Sequence, residues 1–257
     1  MLSQAPPEAD AFAWPDASPP FTLAAGDVHV WRAALDEVAD ADVARLALTL
    51  AADERARASR LVHAPDRRRF VVGRAALRMV LAHYLGGTPA AVAFGRTPAG
   101  KPVLADALGA TLRFSASHRA GVALCALVAG RDVGVDVERI VRGPVEDLVA
   151  DRILAAGELV TLRALPPAER ERAFFAVWTR KEAYAKARGL GLALPFDRFT
   201  VSADPDAPAL LDAEDDDPRR WSLRDLRAGE GYAAALVVEG PIERLTRCQW
   251  TVALSAG

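Results

Sequence analysis

Cysteine is scarce. Cys125 and Cys248 are the two thiols in 257 residues, far apart and each in an apolar, strand-like run. They make no disulfide framework, and no CxxC pair offers zinc ligands, so both read as small core residues. No run of about 18 apolar residues occurs that could span a bilayer. Residues 1–20 hold five prolines and no Lys or Arg, so they lack the basic start and apolar middle of a signal peptide. These absences give the expectation of a cytoplasmic protein with no membrane partner. Neither sign of charge prevails, with 32 basic against 34 acidic residues and a net charge of −2. No basic surplus therefore points to nucleic acid. There is no Walker A loop, no G-x-G-x-x-G after a strand and no G-x-S-x-G elbow, which argues against P-loop, dinucleotide and serine-hydrolase chemistry.

Lysine is the sharpest deficit. Beside 29 arginines stand Lys101, Lys181 and Lys186 alone. Where nearly every cation is Arg, a lysine suggests a place that needs a compact ammonium rather than a planar fork.

What is present is globular: 51% hydrophobic and 26% charged residues, values that exclude a mostly disordered chain. After the Pro-rich lead-in of residues 1–20, a strand is expected over Asp27–Leu35. Helical patterns follow over Asp40–Ser59 and from Asp66, read as an N-cap, to Leu85, where Gly86-Gly87 ends the helix. Short strands are expected over Ala91–Phe94, Leu112–Ser115 and Val122–Val128. At Gly130 the pattern restarts, with a strand over Asp132–Arg139 and helices over 144–164 and Pro167–Arg188. Gly189 stands past the last helix. Strands then follow near Arg198–Val201, Trp221–Leu226, Tyr232–Val238 and Cys248–Val252. Each half reads strand, helices, long helix, strands. The expectation is an α/β (α+β) fold of two similar subdomains, 21–129 and 130–257, each a small sheet packed on a long helix. The acidic run Glu214-Asp215-Asp216-Asp217 reads as a solvated turn.

Some residues fit this scheme poorly. In Gly134-Val-Asp-Val-Glu138, strand alternation puts Asp136 and Glu138 on one face. Two carboxylates so close repel unless water or a cation separates them. The strand is either a solvent-facing edge or half of a divalent-metal site with oxygen ligands. In the long helix, Phe174, Val177, Trp178 and Ala185 form an apolar stripe. Lys181 lies in its middle, with Glu182 and Lys186 one turn apart at its edge. Glu182–Lys186 could be an ordinary surface pair. An unpaired ammonium on a buried stripe is costly, so two lysines and an acid here suit an anionic, metal-bridged group. Arg74 likewise sits within the stripe of Phe70, Leu77, Leu81 and Tyr84. Phe114-Ser-Ala-Ser-His118 ends a strand in a polar turn, whereas His29, His63 and His83 read as structural.

Gly100-Lys101-Pro102, Phe114-Ser-Ala-Ser-His118, Gly134-Val-Asp-Val-Glu138 and Trp178-Thr-Arg-Lys-Glu-Ala-Tyr-Ala-Lys186, in that order, resemble the 4′-phosphopantetheinyl transferases of the surfactin-synthetase type. The resemblance covers residues 27–240. It implies two pseudo-twofold-related subdomains with coenzyme A and Mg²⁺ in the cleft between them. The implied reaction moves the phosphopantetheine arm of coenzyme A to a serine of an apo acyl or peptidyl carrier protein and releases 3′,5′-ADP. It implies Asp136, Glu138 and Glu182 as metal ligands, and Glu182 and Lys186 as catalytic residues. Lys101, Ser117, His118, Arg57 and Arg74 become coenzyme A-binding residues, and the protein is expected to work as a monomer. The alternative is a coenzyme A- or carrier-binding module without transfer activity.

Overall fold

In the computed structural model, residues 14–15, 21–105, 111–141, 150, 153–204 and 206–253 are described. Most of the lead-in, and much of the expected helix over 144–164, lie outside them. The first strand, β1 (Asp27–Ala34), is buried on both faces. Val28 and Val30 face one core, and Trp31 and Ala33 another. Helices α1 (Asp40–Ala47), α2 (Ala52–Ser59) and α3 (Ala64–Leu85) follow, then β2 (Phe94–Arg96), β3 (Pro102–Leu104), β4 (Leu112–Arg119) and β5 (Val122–Ala129). The second half repeats this order. It runs β6 (Val133–Arg139), α4 (Ala156–Ala164), α5 (Pro167–Ala187), β7 (Phe199–Val201), β8 (Leu210–Ala213), β9 (Trp221–Asp225) and β10 (Tyr232–Glu239).

The pairing repeats as well. β5 lies antiparallel between β1 and β4, and β10 lies antiparallel between β6 and β9. A small hairpin accompanies each sheet, β2–β3 in one half and β7–β8 in the other. The sheets meet face to face through alternate residues such as Val30, Leu124 and Ala126 of one and Val135, Val137 and Leu236 of the other. Their opposite faces carry α3 and α5. The order α3, sheet, sheet, α5 therefore buries three apolar layers.

One element breaks the symmetry. The last strand, β11 (Arg244–Gln249), falls late in the sequence yet pairs parallel to β1, extending the first half's sheet.

A second repeat lies in the helix starts. Glu54 accepts from its own helix at Ala51 N (2.8 Å), and Glu158 does the same at Ala155 N (2.8 Å). Each glutamate is buried and paired with a cation of the long helix beside it. Glu54 bonds Arg78 at 2.6 Å and also contacts Arg74, and Glu158 bonds Lys181 at 2.8 Å. Each carboxylate thus supplies an acceptor for a free helix-terminal N–H and neutralises a buried cation.

Several sequence expectations shift. Asp66 is inside the first turn of α3, and the residue before that helix is His63. Pro65 already fits a first turn, so the helix starts earlier. Gly86 ends it with φ of 62°, a conformation that suits glycine. Pro89–Ala91 form a 3-10 turn, so the strand begins only at Phe94. The acidic run is not wholly solvated. The Asp216 carboxylate is 2% exposed and accepts from Tyr184 Oη (2.9 Å), Trp221 Nε1 (2.7 Å), Arg188 (2.9 Å) and Arg220 (2.9 Å).

Candidate active site

The close approach of α5 to β6 builds the centre. Gly134 has no side chain, and a Cβ there would stand 1.9 Å from Ala183 O and 2.4 Å from Ala187 N. The helix backbone therefore rests on the strand, which brings Glu182 and Lys186 to the face carrying Asp136 and Glu138. Asp136 is 3% exposed. Its Oδ1 accepts from Lys186 Nζ at 2.6 Å and Ser117 Oγ at 2.8 Å. Its Oδ2 is buried with no partner. Lys186 also reaches Val135 O at 3.3 Å, so it turns to β6 rather than forming a surface pair with Glu182. Glu138 pairs with Arg119 at 3.0 Å.

The carboxylates strain against one another. Burial and the charges of Asp136 and Glu138 push Glu182 up to about 6, although Lys186 opposes the shift. Burial and the charge of Asp136 raise Glu138, partly offset by Arg119 and Lys186. Among the described residues, no three His, Cys, Asp or Glu side chains are already gathered as metal ligands. The donor set nevertheless suits a hard divalent cation. It offers an orphaned buried oxygen and three mutually repelling carboxylates, the chemistry Mg²⁺ takes when substrate and water oxygens complete its shell.

Beside this centre opens a cleft of about 580 Å³. Arg57 and Arg74 line one wall, and Lys101 comes from the turn between β2 and β3. Ser117 and His118 lie on β4, and Lys186, Gly189 and Gly191 close the cleft from the second half. The structure therefore brings six of the candidate site residues to one cavity, whereas Asp136, Glu138 and Glu182 do not line it; Lys186 joins the cavity to them through its bond to Asp136. Arg57 stacks over Phe70 at 5.2 Å and Arg74 over Phe94 at 4.1 Å. Arg74 is thus not free in its stripe, because Glu54 and Phe94 hold it. Burial and the neighbouring cations Lys186, Arg57 and Arg119 lower the His118 pKa below its ordinary value.

Lys181 is a correction. It points away from the cleft into the second core, where it pairs with Glu158 and donates to Phe196 O at 2.6 Å and to Phe199 O. It belongs to packing and not to an anion site. The lysine deficit does have a common geometry. Lys101 Nζ donates to Val133 O at 3.0 Å and Ala187 O at 3.5 Å, so all three ammonium groups sit on backbone carbonyls. Compact, multi-directional donors fit such positions. Sequence reasoning missed Arg119 and Glu54. The parallel Ala51-Ala-Asp-Glu54 and Ala155-Ala-Gly-Glu158 could have signalled the second.

Comparison with known proteins relates the chain to one family. A family described as the 4′-phosphopantetheinyl transferase superfamily matches residues 132–237. A family described as 4′-phosphopantetheinyl transferase, N-terminal, matches residues 37–129. The chain is 38% identical over 230 residues to the 4′-phosphopantetheinyl transferase HetI of a Nostoc species, covering 88% of this chain and 94% of that protein. It is 29% identical over 197 residues to a 4′-phosphopantetheinyl transferase of Bacillus subtilis, covering 77% and 85%. Among solved structures, a Thermotoga maritima holo-[acyl-carrier-protein] synthase aligns with 43% of this chain and 63% of its own, with TM-score 0.34 and 24% identity.

Proposed function

This chain belongs to the 4′-phosphopantetheinyl transferase superfamily, and from that premise we propose how its cleft carries out the transfer. The enzyme moves the phosphopantetheine arm of coenzyme A to a serine hydroxyl of an apo carrier protein. In the reaction, the serine oxygen bonds to the β-phosphorus of coenzyme A. The bond from that phosphorus to the bridging oxygen breaks, and 3′,5′-ADP leaves. Such transfers depend on alignment and charge neutralisation more than on covalent help.

The residues divide the work. Arg57, Arg74, Lys101, Ser117 and His118 line the cleft that would receive the nucleotide end of coenzyme A. Asp136, Glu138 and Glu182 would hold Mg²⁺, which when bound neutralises pyrophosphate charge. Lys186 stands at the junction of cleft and carboxylates, where its ammonium can stabilise charge growing on the departing ADP phosphate. Glu182, which burial and the neighbouring Asp136 make more basic than an ordinary carboxylate before any cation binds, is placed to take the serine proton. The protein is read as a monomer of the cytoplasm, where two free, buried cysteines stay reduced. Among the described residues, no helix is long and apolar enough to cross a membrane.

The observation that carries this reading is the orphaned Oδ2 of Asp136 among carboxylates that repel one another beside a basic cleft. A passive coenzyme A-binding module has no use for that arrangement. Incubation with coenzyme A, Mg²⁺ and candidate apo carrier proteins should add about 340 Da, the arm as a phosphodiester, and EDTA should prevent it. Tight coenzyme A binding with no mass gain on any acyl or peptidyl carrier would leave the binding module as the better account.

A further inference from the structure

Asp136 is held from the opposite half of the molecule. Strand β4 belongs to the first sheet and β6 to the second, and no ladder of backbone bonds joins them. Two serines on one face of β4 take its place. Ser115 Oγ accepts from Val135 N at 3.1 Å, and two residues on, Ser117 Oγ donates to Asp136 Oδ1 at 2.8 Å. Ser117 sits on a strand paired in register with β5, opposite Leu124, so the sheet fixes its Cβ, and a single short rotor carries the hydroxyl to Asp136.

Lys186, the other donor to Oδ1, ends a long flexible side chain. In the reading above it is needed at the pyrophosphate. Once it turns there, Ser117 is the donor that still fixes the plane of the Asp136 carboxylate. With Oδ1 held, the buried and unpartnered Oδ2 is the oxygen left to meet a cation.

We propose that Ser117, besides lining the cleft, is a positioning residue for the metal carboxylate, acting across the junction of the two halves. This inference rests on the metal assignment made above. Partners of ligating carboxylates orient the ligand and tune its affinity, and their loss commonly weakens metal binding 10–100-fold.

The test is Mn²⁺ titration, followed by electron paramagnetic resonance, of the full-length protein with saturating coenzyme A and no carrier. Ser117→Ala should weaken Mn²⁺ binding about tenfold or more, and Ser117→Thr, which keeps the hydroxyl, should restore it. Ser115→Ala removes the neighbouring link between strands and should leave Mn²⁺ affinity within about twofold, because it does not touch the carboxylate. Unchanged Mn²⁺ binding in Ser117→Ala overturns the proposal. So does an equal loss in Ser115→Ala, or a failure of Ser117→Thr to recover. Asp136→Ala separates the two levels. If that variant binds Mn²⁺ like the wild type, the metal assignment itself fails. If it does not, while Ser117→Ala does, the role of Ser117 alone is wrong.

Discussion

Gly134→Ala should damage this enzyme through one added methyl group. The backbone of Gly134 is not in the left-handed region, so alanine there carries no conformational penalty of its own. The effect is steric. A Cβ would stand 1.9 Å from Ala183 O and 2.4 Å from Ala187 N, both main-chain atoms of α5 that cannot rotate away. Ordinary contact requires α5 to retreat by about 1 Å or more. Overpacking of this kind costs about 1–3 kcal/mol, and the upper end corresponds to a fall in Tm of roughly 6–12 °C in a chain of this size. The retreat also carries Glu182 and Lys186 away from Asp136, since all three depend on the same contact. A displacement near 1 Å at reacting groups can cost about 100-fold in rate. Thermal melting and single-turnover transfer to an apo carrier protein at saturating coenzyme A measure the two effects separately. A folded Gly134→Ala protein that transfers at the wild-type rate would show that helix-to-strand contact does not set the position of Lys186.

The two lysines of α5 should separate cleanly. Lys181→Met leaves Glu158 buried and unpaired, so it should lower stability by about 3–5 kcal/mol, seen in urea melts, while any folded fraction keeps its coenzyme A affinity. Lys186→Ala should lower kcat more than it raises the KM for coenzyme A, the pattern of an interaction made in the transition state, and a fall in Tm should accompany it because the buried Asp136 loses its cation. Glu182→Gln should stabilise the metal-free protein at pH 7.5. Burial and the neighbouring carboxylates push Glu182 up to about 6 from an ordinary 4.5, so its ionisation opposes folding, and the gain should vanish as pH falls through 6 to 4.5 in pH-dependent melts. Asp216→Ala strands the hydrogen bonds of Tyr184, Trp221 and Arg188, and should lower Tm and alter Trp221 fluorescence; unchanged values would place Asp216 at the surface after all.

Much of the fold was legible because its punctuation is chemical. Pro167 opens the second long helix, and Gly86 and Gly189 follow the two long helices in left-handed conformations. The alternation of Val133, Val135 and Val137 with Asp136 placed the valines in the core between the sheets. Strands β3 and β8, of three and four residues, carry too few side chains for periodicity to register. The partners of Lys181 and Asp216 were illegible for another reason. Glu158 lies on a different helix from Lys181, and Tyr184 is 32 residues from Asp216. A helical wheel shows that a charge is buried, but not what neutralises it. Lys101, Ser117, His118 and Lys186 could be picked out because each lies in a short motif, and they share one cavity, whereas Arg119 meets Glu138 only through the packing of two strands.

The final strand has a consequence for any attempt to divide the molecule. β11 follows the whole of the second half, yet it covers the outer edge of β1. A fragment cut near Gly130 would keep β1, β5 and β4 but expose a row of unpaired amides and carbonyls along β1, an invitation to intermolecular pairing. The remaining fragment would carry a strand with nothing to join. Although the two halves repeat one plan, the second completes the first, and neither should be obtained in soluble form without the other.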